Sequence, residues 1–310
     1  MRVVFMGTPD FSVPTLQKII DEKHEVVGVV TQPDKPKGRG KAMQFPPVKE
    51  LAVKYDIPVY QPQRIKGNQE FYEEMKALNP DVMVTVAFGQ ILPKEILELP
   101  KYGCINVHAS LLPKYRGSAP IQWVILDGET ESGVTTMMTD VGIDTGDMLL
   151  KKVVPLDEKE TGGSLHDKLS VVGGELLIET LKGVEEGTVT RIPQGETPTK
   201  YAKMLTKDLG KIDFTKSAVE IERLIRGLNP WPSAYTSLHG KTLKIWDANV
   251  VEGDSNARPG EVIRVDKTSF TVMTGDKALE IVEMQLEGKK RMMTEAFLRG
   301  YNVEKGEVLA

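Results

Sequence analysis

Asn106 and His108 stand two residues apart in the stretch Gly103-Cys104-Ile105-Asn106-Val107-His108-Ala109-Ser110. Ile105 and Val107 are β-branched and alternate with them, so the stretch reads as a strand. A side-chain period of two then turns Asn106 and His108 to one face. An asparagine amide offers an N–H that cannot ionise, and histidine titrates near neutral pH and can take or give a proton. The pair could therefore serve a reaction that needs a fixed donor beside a proton carrier. It could equally be the polar end of a core strand with both groups satisfied, and on two residues alone that plainer reading is the stronger. Leu111-Leu112-Pro113 follows, where the proline ends any ladder and biases Leu112 to an extended conformation.

Four other groups of reactive side chains need weighing. Asp140, Asp144 and Asp147 fall within eight residues, a density that could bind a hard cation. Read as a calcium loop, the segment puts Gly142 at the third ligand position and Thr145 where the turn glycine belongs, so that reading fails. Cys104 is the single cysteine; it excludes an internal disulfide and fits a reducing compartment. With no basic neighbour in sequence to lower its pKa, it reads as a buried bystander and not as a nucleophile. His24, His166 and His239 lie in a polar turn, on an amphipathic helix and beside Gly240, settings that suit surface or packing roles. Lys35, Lys37, Arg39 and Lys41 form a basic run without an acid, in a segment whose prolines and glycines forbid regular structure. Such a run is most often a solvated loop, but it can also grip a phosphate backbone.

Taken whole, Asn-Val-His-Ala-Ser-Leu-Leu-Pro-Lys-Tyr-Arg-Gly-Ser-Ala-Pro, residues 106–120, resembles the signature of the folate-dependent formyltransferases. The later Asp140-Val141-Gly142-Ile143-Asp144-Thr145-Gly146 matches that family's Asp-x-Gly-x-Asp-x-Gly pattern. The resemblance implies that Asn106, His108 and Asp144 are catalytic, and that the co-substrate is 10-formyltetrahydrofolate with no metal. It further implies a folate pocket lined by Phe88, Gly89, Ile91 and Leu92 and by Ser110, Leu111, Leu112 and Pro113, to which the expected convergence of strand-end loops in one parallel sheet adds Val141, Gly142 and Ile143. Formyl transfer moves an acyl group between nitrogens. It needs a donor where the carbonyl oxygen becomes negative and a path for the proton from the attacking amine. Asn106 suits the first task; His108 suits either, with Asp144 to stabilise its charged form and hold a water. No covalent nucleophile is required, in keeping with the lack of a Ser-His or Cys-His pattern.

Around these residues the chain reads as an α/β fold. Residues 2–6 form an apolar run that ends at Gly7, and 13–20 have helical spacing with Leu16, Ile19 and Ile20 on one face. Strand, glycine turn and helix is how nucleotide-binding α/β folds begin. Gly7 stands alone with Pro9 in the second glycine's place, so a dinucleotide site is not expected. Strands follow at 25–31, 57–60, 81–93 (breaking at Gly89), 133–139, 148–154 and 187–193, with helices at 47–55, 68–78, 117–127 and 164–181. Residues 194–203 look like a linker. A helix at 218–226 and five short strands between 236 and 283 then suggest a small barrel.

The resemblance makes this a Rossmann-like parallel-sheet formyltransferase domain, 1–190, a linker, 191–206, and a small OB-like β-barrel, 207–310. Asn229-Pro230-Trp231-Pro232 resembles the start of the C-terminal domain in those members of the family that act on methionyl-tRNA. There the barrel touches the tRNA, so initiator methionyl-tRNA is the implied partner and Lys35, Lys37, Arg39 and Lys41 the implied grip on it. Residues 207–310 carry 16 Lys and Arg against 16 Asp and Glu, so any basic face must be local. A net charge of −4 over 310 residues likewise excludes a generally basic nucleic-acid binder. No apolar run is long enough to span a bilayer, and the N-terminus reads as a first strand and not a signal peptide, so the expected location is the cytoplasm. Two other readings stand beside this one. A formyltransferase for a small amine, such as glycinamide ribonucleotide or an amino sugar, would leave the basic loop and the barrel without a task. A non-catalytic tRNA-binding protein would leave Asn106, His108 and Asp144 together without one.

Overall fold

The computed structural model describes residues 1–37 and 42–310. It divides into two units, one of residues 1–120, 131–155 and 166–202, the other of 121–130, 156–165 and 203–310. Arg39 and Lys41 lie outside the described residues.

The first unit is built on seven strands: β1 (Arg2–Gly7), β2 (Glu25–Val30), β5 (Val59–Tyr60), β6 (Val82–Val86), β7 (Cys104–His108), β8 (Glu131–Met138) and β9 (Met148–Pro155). Their order is β5-β2-β1-β6-β7-β8-β9. The first five pair in parallel, and β8 and β9 are added antiparallel. Val3 to Met6 and Val82 to Val84 are fully buried, as strands covered on both faces must be, which is why they read as unbroken apolar runs. The chain order reverses between β1 and β6. In open parallel sheets that switch point leaves a crevice outside the carboxyl ends of the strands. Gly7, Val86 and His108 are those ends.

Four helices lie wholly in this unit, α1 (Val13–Asp21), α2 (Pro47–Lys54), α3 (Gln69–Leu78) and α4 (Lys94–Leu97), and so does most of α6 (Gly162–Glu186). Pro14 in the first turn of α1 loses no internal hydrogen bond, and Leu16 and Ile19 turn inward. Each fully buried aliphatic side chain of this kind contributes roughly 1.5–3 kcal/mol. Asn68 caps α3 by accepting from Phe71 N at 3.0 Å, and Asn79 ends it in the left-handed region. At Gly173 of α6 an added Cβ would stand 3.0 Å from Val107 Cγ1, so the helix lies close over β7.

Several expectations need correction. The strand expected over 81–93 ends at Val86, because Ala87 and Gly89 both take positive φ. The strand expected at 187–193 is reduced to one bridge, Ile192 with Met148: α6 runs on to Glu186 and Gly187 turns the chain at φ +70°. The stretch expected to be wholly irregular holds a short antiparallel pair, β3 (Lys35–Lys37) with β4 (Ala42–Gln44). It tolerates Pro36 because a two-stranded ribbon leaves half its N–H groups unpaired. The four-residue α4 has no counterpart in the sequence pattern.

The second unit opens with residues of α5 (Pro120–Leu126) and centres on α7 (Ala218–Gly227) and an antiparallel sheet. Ser217 and Glu220 form a reciprocal capping box on α7. The sheet runs β10 (Ala234–Leu238), β11 (Lys241–Val251), β14 (Ala278–Leu286), β13 (Phe270–Met273) and β12 (Val262–Val265), with β15 (Met292–Met293) on β14. Register shifts around Asp247 coil the long β11. Phe214, Ile221, Ile225, Ile245, Phe270 and Met284 share one buried core with Phe297 of α8 (Thr294–Leu298), a helix the sequence reading does not include. Among the described residues no helix is long and apolar enough to cross a membrane.

Candidate active site

Asn106 and His108 fall within the last three positions of β7, where the ladder fixes which way they point. Thr85, opposite Asn106 in the parallel pair with β6, donates its hydroxyl to Asn106 Oδ1 at 3.0 Å. The amide is thereby oriented with its carbonyl held and its NH2 turned away, and no hydrogen bond among the described residues occupies Nδ2. His108 is buried, and its Nε2 lies 3.0 Å from Tyr115 O. A carbonyl oxygen can only accept, so Nε2 carries the proton and Nδ1 is the free position of the neutral ring. Nδ1 faces Asp144 Oδ1 at 3.7 Å. That separation is too long for a direct hydrogen bond and short enough for strong attraction to a protonated ring.

Asp144 comes from the loop between β8 and β9. Its backbone sits at φ +54°, a conformation that aspartate tolerates better than most residues. Its Oδ2 accepts from Gly117 N at 2.9 Å, which aims Oδ1 at the imidazole. Asp140, by contrast, is spent on the loop itself: its carboxylate accepts from Gly142 N at 3.0 Å and Thr145 Oγ1 at 2.8 Å. Among the described residues no group of three His, Cys, Asp or Glu could hold a metal ion.

The residues expected to line a folate pocket divide by depth. Ile91, Val141 and Ile143 are 68%, 70% and 57% exposed, apolar groups standing in solvent at the carboxyl end of the sheet. Gly89 and Gly142 are exposed beside them. Phe88 and Leu92 are buried in the core, although the Phe88 carbonyl accepts from Gln32 Nε2 at 3.1 Å. Ser110 is also buried, its hydroxyl donating to Lys114 O at 2.7 Å, and Leu112 packs with Met137 and Met148. Leu111 and Pro113 are half-buried. Ser110 and Leu112 therefore shape the loop from inside, their backbone tied to Thr135 through Leu112 N and Ser110 O. Lys35 is exposed.

Cys104 begins the same strand and is buried, which pushes its thiol up to about 11; the Thr139 and Thr85 hydroxyls pull more weakly the other way. Burial and the raised thiol agree with its reading as a bystander. What sequence reasoning misses is the support around Asp144: the Gly117 backbone N–H, the buried Arg116, and Gln194, Thr199 and Ala202 from the supposed linker. Tyr115 N donates to Thr199 Oγ1 at 2.8 Å, and Ala202 O accepts from Ser118 N and Ala119 N. The one available signal is Gly117 in the motif. There φ is +120° and an added Cβ would lie 2.7 Å from Ala202 O, so two backbones must meet.

A Rossmann-like sheet that ends in an amide, an imidazole and a carboxylate, followed along the chain by an antiparallel β domain, defines the class. The family described as Formyl transferase matches residues 1–181, and the Formyl transferase, C-terminal domain family matches residues 204–302; the chain belongs to the formyl transferase family. It is 58% identical over 306 residues to a methionyl-tRNA formyltransferase of Agathobacter rectalis, covering 99% of this chain and 98% of that one. A methionyl-tRNA formyltransferase of Clostridioides difficile is 56% identical over 309 residues, covering all of both chains. Among solved structures, the sugar 3N-formyl transferase WlaRD superposes with a TM-score of 0.67 at 20% identity, over 94% of this chain and 99% of that one. HypX from Aquifex aeolicus in complex with tetrahydrofolic acid gives 0.64 at 19% identity over 97% of this chain, which spans 47% of HypX.

Proposed function

We propose that this chain transfers the formyl group of 10-formyltetrahydrofolate to the free amino group of initiator methionyl-tRNA, in the cytoplasm, for translation initiation. The observation that carries the reading is the meeting of Asn106, His108 and Asp144 at one strand end, in a chain 58% identical along its length to a methionyl-tRNA formyltransferase. Residues 1–190 are assigned to catalysis and 207–310 to tRNA contact.

The methionyl amine attacks the formyl carbon directly. A tetrahedral intermediate forms, the bond from that carbon to folate nitrogen breaks, and the amine's proton passes to the leaving nitrogen. Asn106 Nδ2, with its carbonyl end tied down by Thr85, is aimed as the donor to the developing oxyanion. Because Nε2 of His108 is committed to Tyr115 O, the ring exchanges its proton at Nδ1, facing Asp144. The carboxylate, 3.7 Å from the ring, stabilises the imidazolium that results and can hold a water beside the pair. Folate is assigned to Phe88, Gly89, Ile91 and Leu92, Ser110 to Pro113, and Val141 to Ile143. Exposed loop backbone at Gly89 and Gly142 suits hydrogen bonding to a flat heterocycle, while Ile91, Val141 and Ile143 offer apolar cover for its faces.

Incubating the purified protein with 10-formyltetrahydrofolate and either methionyl-tRNA or small amines tests the reading. Formylation of amino sugars or glycinamide ribonucleotide, with methionyl-tRNA untouched, would overturn it. The basic run supplies a second test. Neutralising Lys35, Lys37, Arg39 and Lys41 together should weaken use of methionyl-tRNA and flatten its salt dependence, because each phosphate left without its cation takes about one unit off the slope. A methionine ester has no phosphates and should be formylated as before. Equal loss on both substrates would mean that the segment supports the fold and does not grip RNA.

A further inference from the structure

Gln194 lies in the stretch whose polar composition suggests a linker, yet its side chain is only 9% exposed, and its amide is engaged at both ends. Nε2 donates to Asp144 O at 2.9 Å and to Gly146 O at 2.7 Å. Oε1 accepts from Arg116 Nε at 2.9 Å. Arg116 is itself 7% exposed, and its Nη2 donates to Gly195 O at 2.7 Å. The residue after Arg116 is Gly117, whose N–H is the donor to Asp144 Oδ2. The contacts close a ring: carboxylate to Gly117 N, along the chain to the Arg116 guanidinium, across to the Gln194 amide, and back to the carbonyl of Asp144 itself.

We propose that Gln194 is a positioning residue for Asp144, acting with Arg116 to hold both ends of that residue. A loop aspartate at φ +54° has no ladder to fix it, and its neighbour Gly146 lies outside any strand as well. The two carbonyls that flank Thr145 point at one amide nitrogen, so a single side chain sets the backbone from which the carboxylate projects. Through its other end the same amide orients Arg116, and thereby the Gly117 N–H that aims Oδ1 at His108. Neither Gln194 nor Arg116 need touch substrate. A misplacement of about 1 Å at a catalytic group can cost on the order of a hundredfold in rate, which sets the scale of what such a clamp protects. The proposal rests on the catalytic reading of Asp144 and deepens it.

The test is a double-mutant cycle on turnover. Gln194→Met keeps the volume and removes all three hydrogen bonds. It should lower kcat by roughly tenfold to a hundredfold, while affinity for a folate analogue stays within about threefold. In an Asp144→Asn background the same change should cost less than about twofold, because the group it positions is already lost. Equal cost in both backgrounds would show a general structural role and overturn the proposal, as would unchanged turnover of Gln194→Met in the native background. If Asp144→Asn alone leaves turnover intact, the catalytic reading fails and takes the clamp with it, a result distinct from the other two. Should Gln194→Met not fold, Gln194→Glu replaces it. That variant keeps the size and the acceptor for Arg116 but has no donor for the two carbonyls, and the same cycle applies.

Discussion

Two kinds of support meet at this site. Asn106 and His108 are held by β7, whose neighbours β6 and β8 fix the backbone on both sides. Asp144 itself has no ladder hydrogen bond among the described residues and relies on a backbone N–H and a side chain from 27 and 50 residues away. A strand end in the middle of a sheet is rigid because each backbone group already has its partner. A loop is only as rigid as the contacts brought to it from elsewhere. On the proposed assignment the sheet supplies the donor and the proton carrier, and distant parts of the chain place the charge that assists them.

Substitution on the two sides measures that difference. On the strand side, His108→Ala should lower turnover by on the order of 10²–10⁴ while folate still binds. A rate within threefold of the native enzyme would remove His108 from the mechanism. Asn106→Ala follows at roughly 10², the usual cost of a lost oxyanion donor. Single-turnover formylation with saturating folate reads both.

On the loop side, Gly142→Ala brings a Cβ to 2.1 Å from Thr145 Oγ1 and forces that hydroxyl off Asp140. Losing a hydrogen bond of about 1 kcal/mol, with the loop shift that follows, should cost roughly tenfold in turnover. The thermal midpoint should hardly move, because Gly142 lies exposed and outside the core. A large fall in the midpoint would mean that the loop is part of the folding unit and not an addition to it. Smaller again is Thr85→Val, which keeps the shape of a buried strand position and removes the donor to Asn106 Oδ1. Here about threefold to tenfold is expected, since the ladder still fixes Asn106 and only its amide is free to rotate.

The same contrast explains what can be read from the sequence. β7 is legible because alternation of Ile105 and Val107 with Asn106 and His108 is a local pattern, and the apolar runs of β1 and β6 are equally local. Asp144 is reached only through a resemblance, since nothing in Asp140 to Asp147 says which of three acids faces a histidine on another element. The role of Asp140 as the loop's own acceptor is a matter of geometry. Gln194 reads as linker because polar residues between Gly and Pro usually are; that its amide is buried depends on where Arg116 lies, 78 residues earlier. The antiparallel addition of β8 and β9 is likewise hidden, because the composition of a strand, whether mostly buried like β8 or half exposed like β9, does not record its direction.

Cys104 sharpens the comparison from within β7. At period two it shares a face with Asn106, and the two differ in depth: Cys104 is 1% exposed, whereas Asn106 is half-buried at the rim. Burial holds the thiol at about 11, so at pH 8 roughly one molecule in a thousand carries a thiolate, and alkylation of the native protein should be correspondingly slow. Cys104→Ala should leave turnover within twofold, because no group in the proposed mechanism contacts its sulfur. The substitution has a second, thermodynamic signature. The folded thiol binds its proton more tightly than the unfolded one, whose value is 9.0. Below pH 9 both states are protonated, and the thiol's contribution to stability is fully present. As the pH rises from 9 towards 11 the unfolded chain loses its proton first, so stability falls by up to about 1.4 kcal/mol per pH unit from this group. Denaturant unfolding of the native protein and of Cys104→Ala across that range should therefore converge as the pH rises, the variant lacking this dependence. Parallel curves, or rapid native-state alkylation at pH 8, would show that the base of β7 is open to water. The depth difference between Cys104 and Asn106 would then not be what separates an inert residue from a working one.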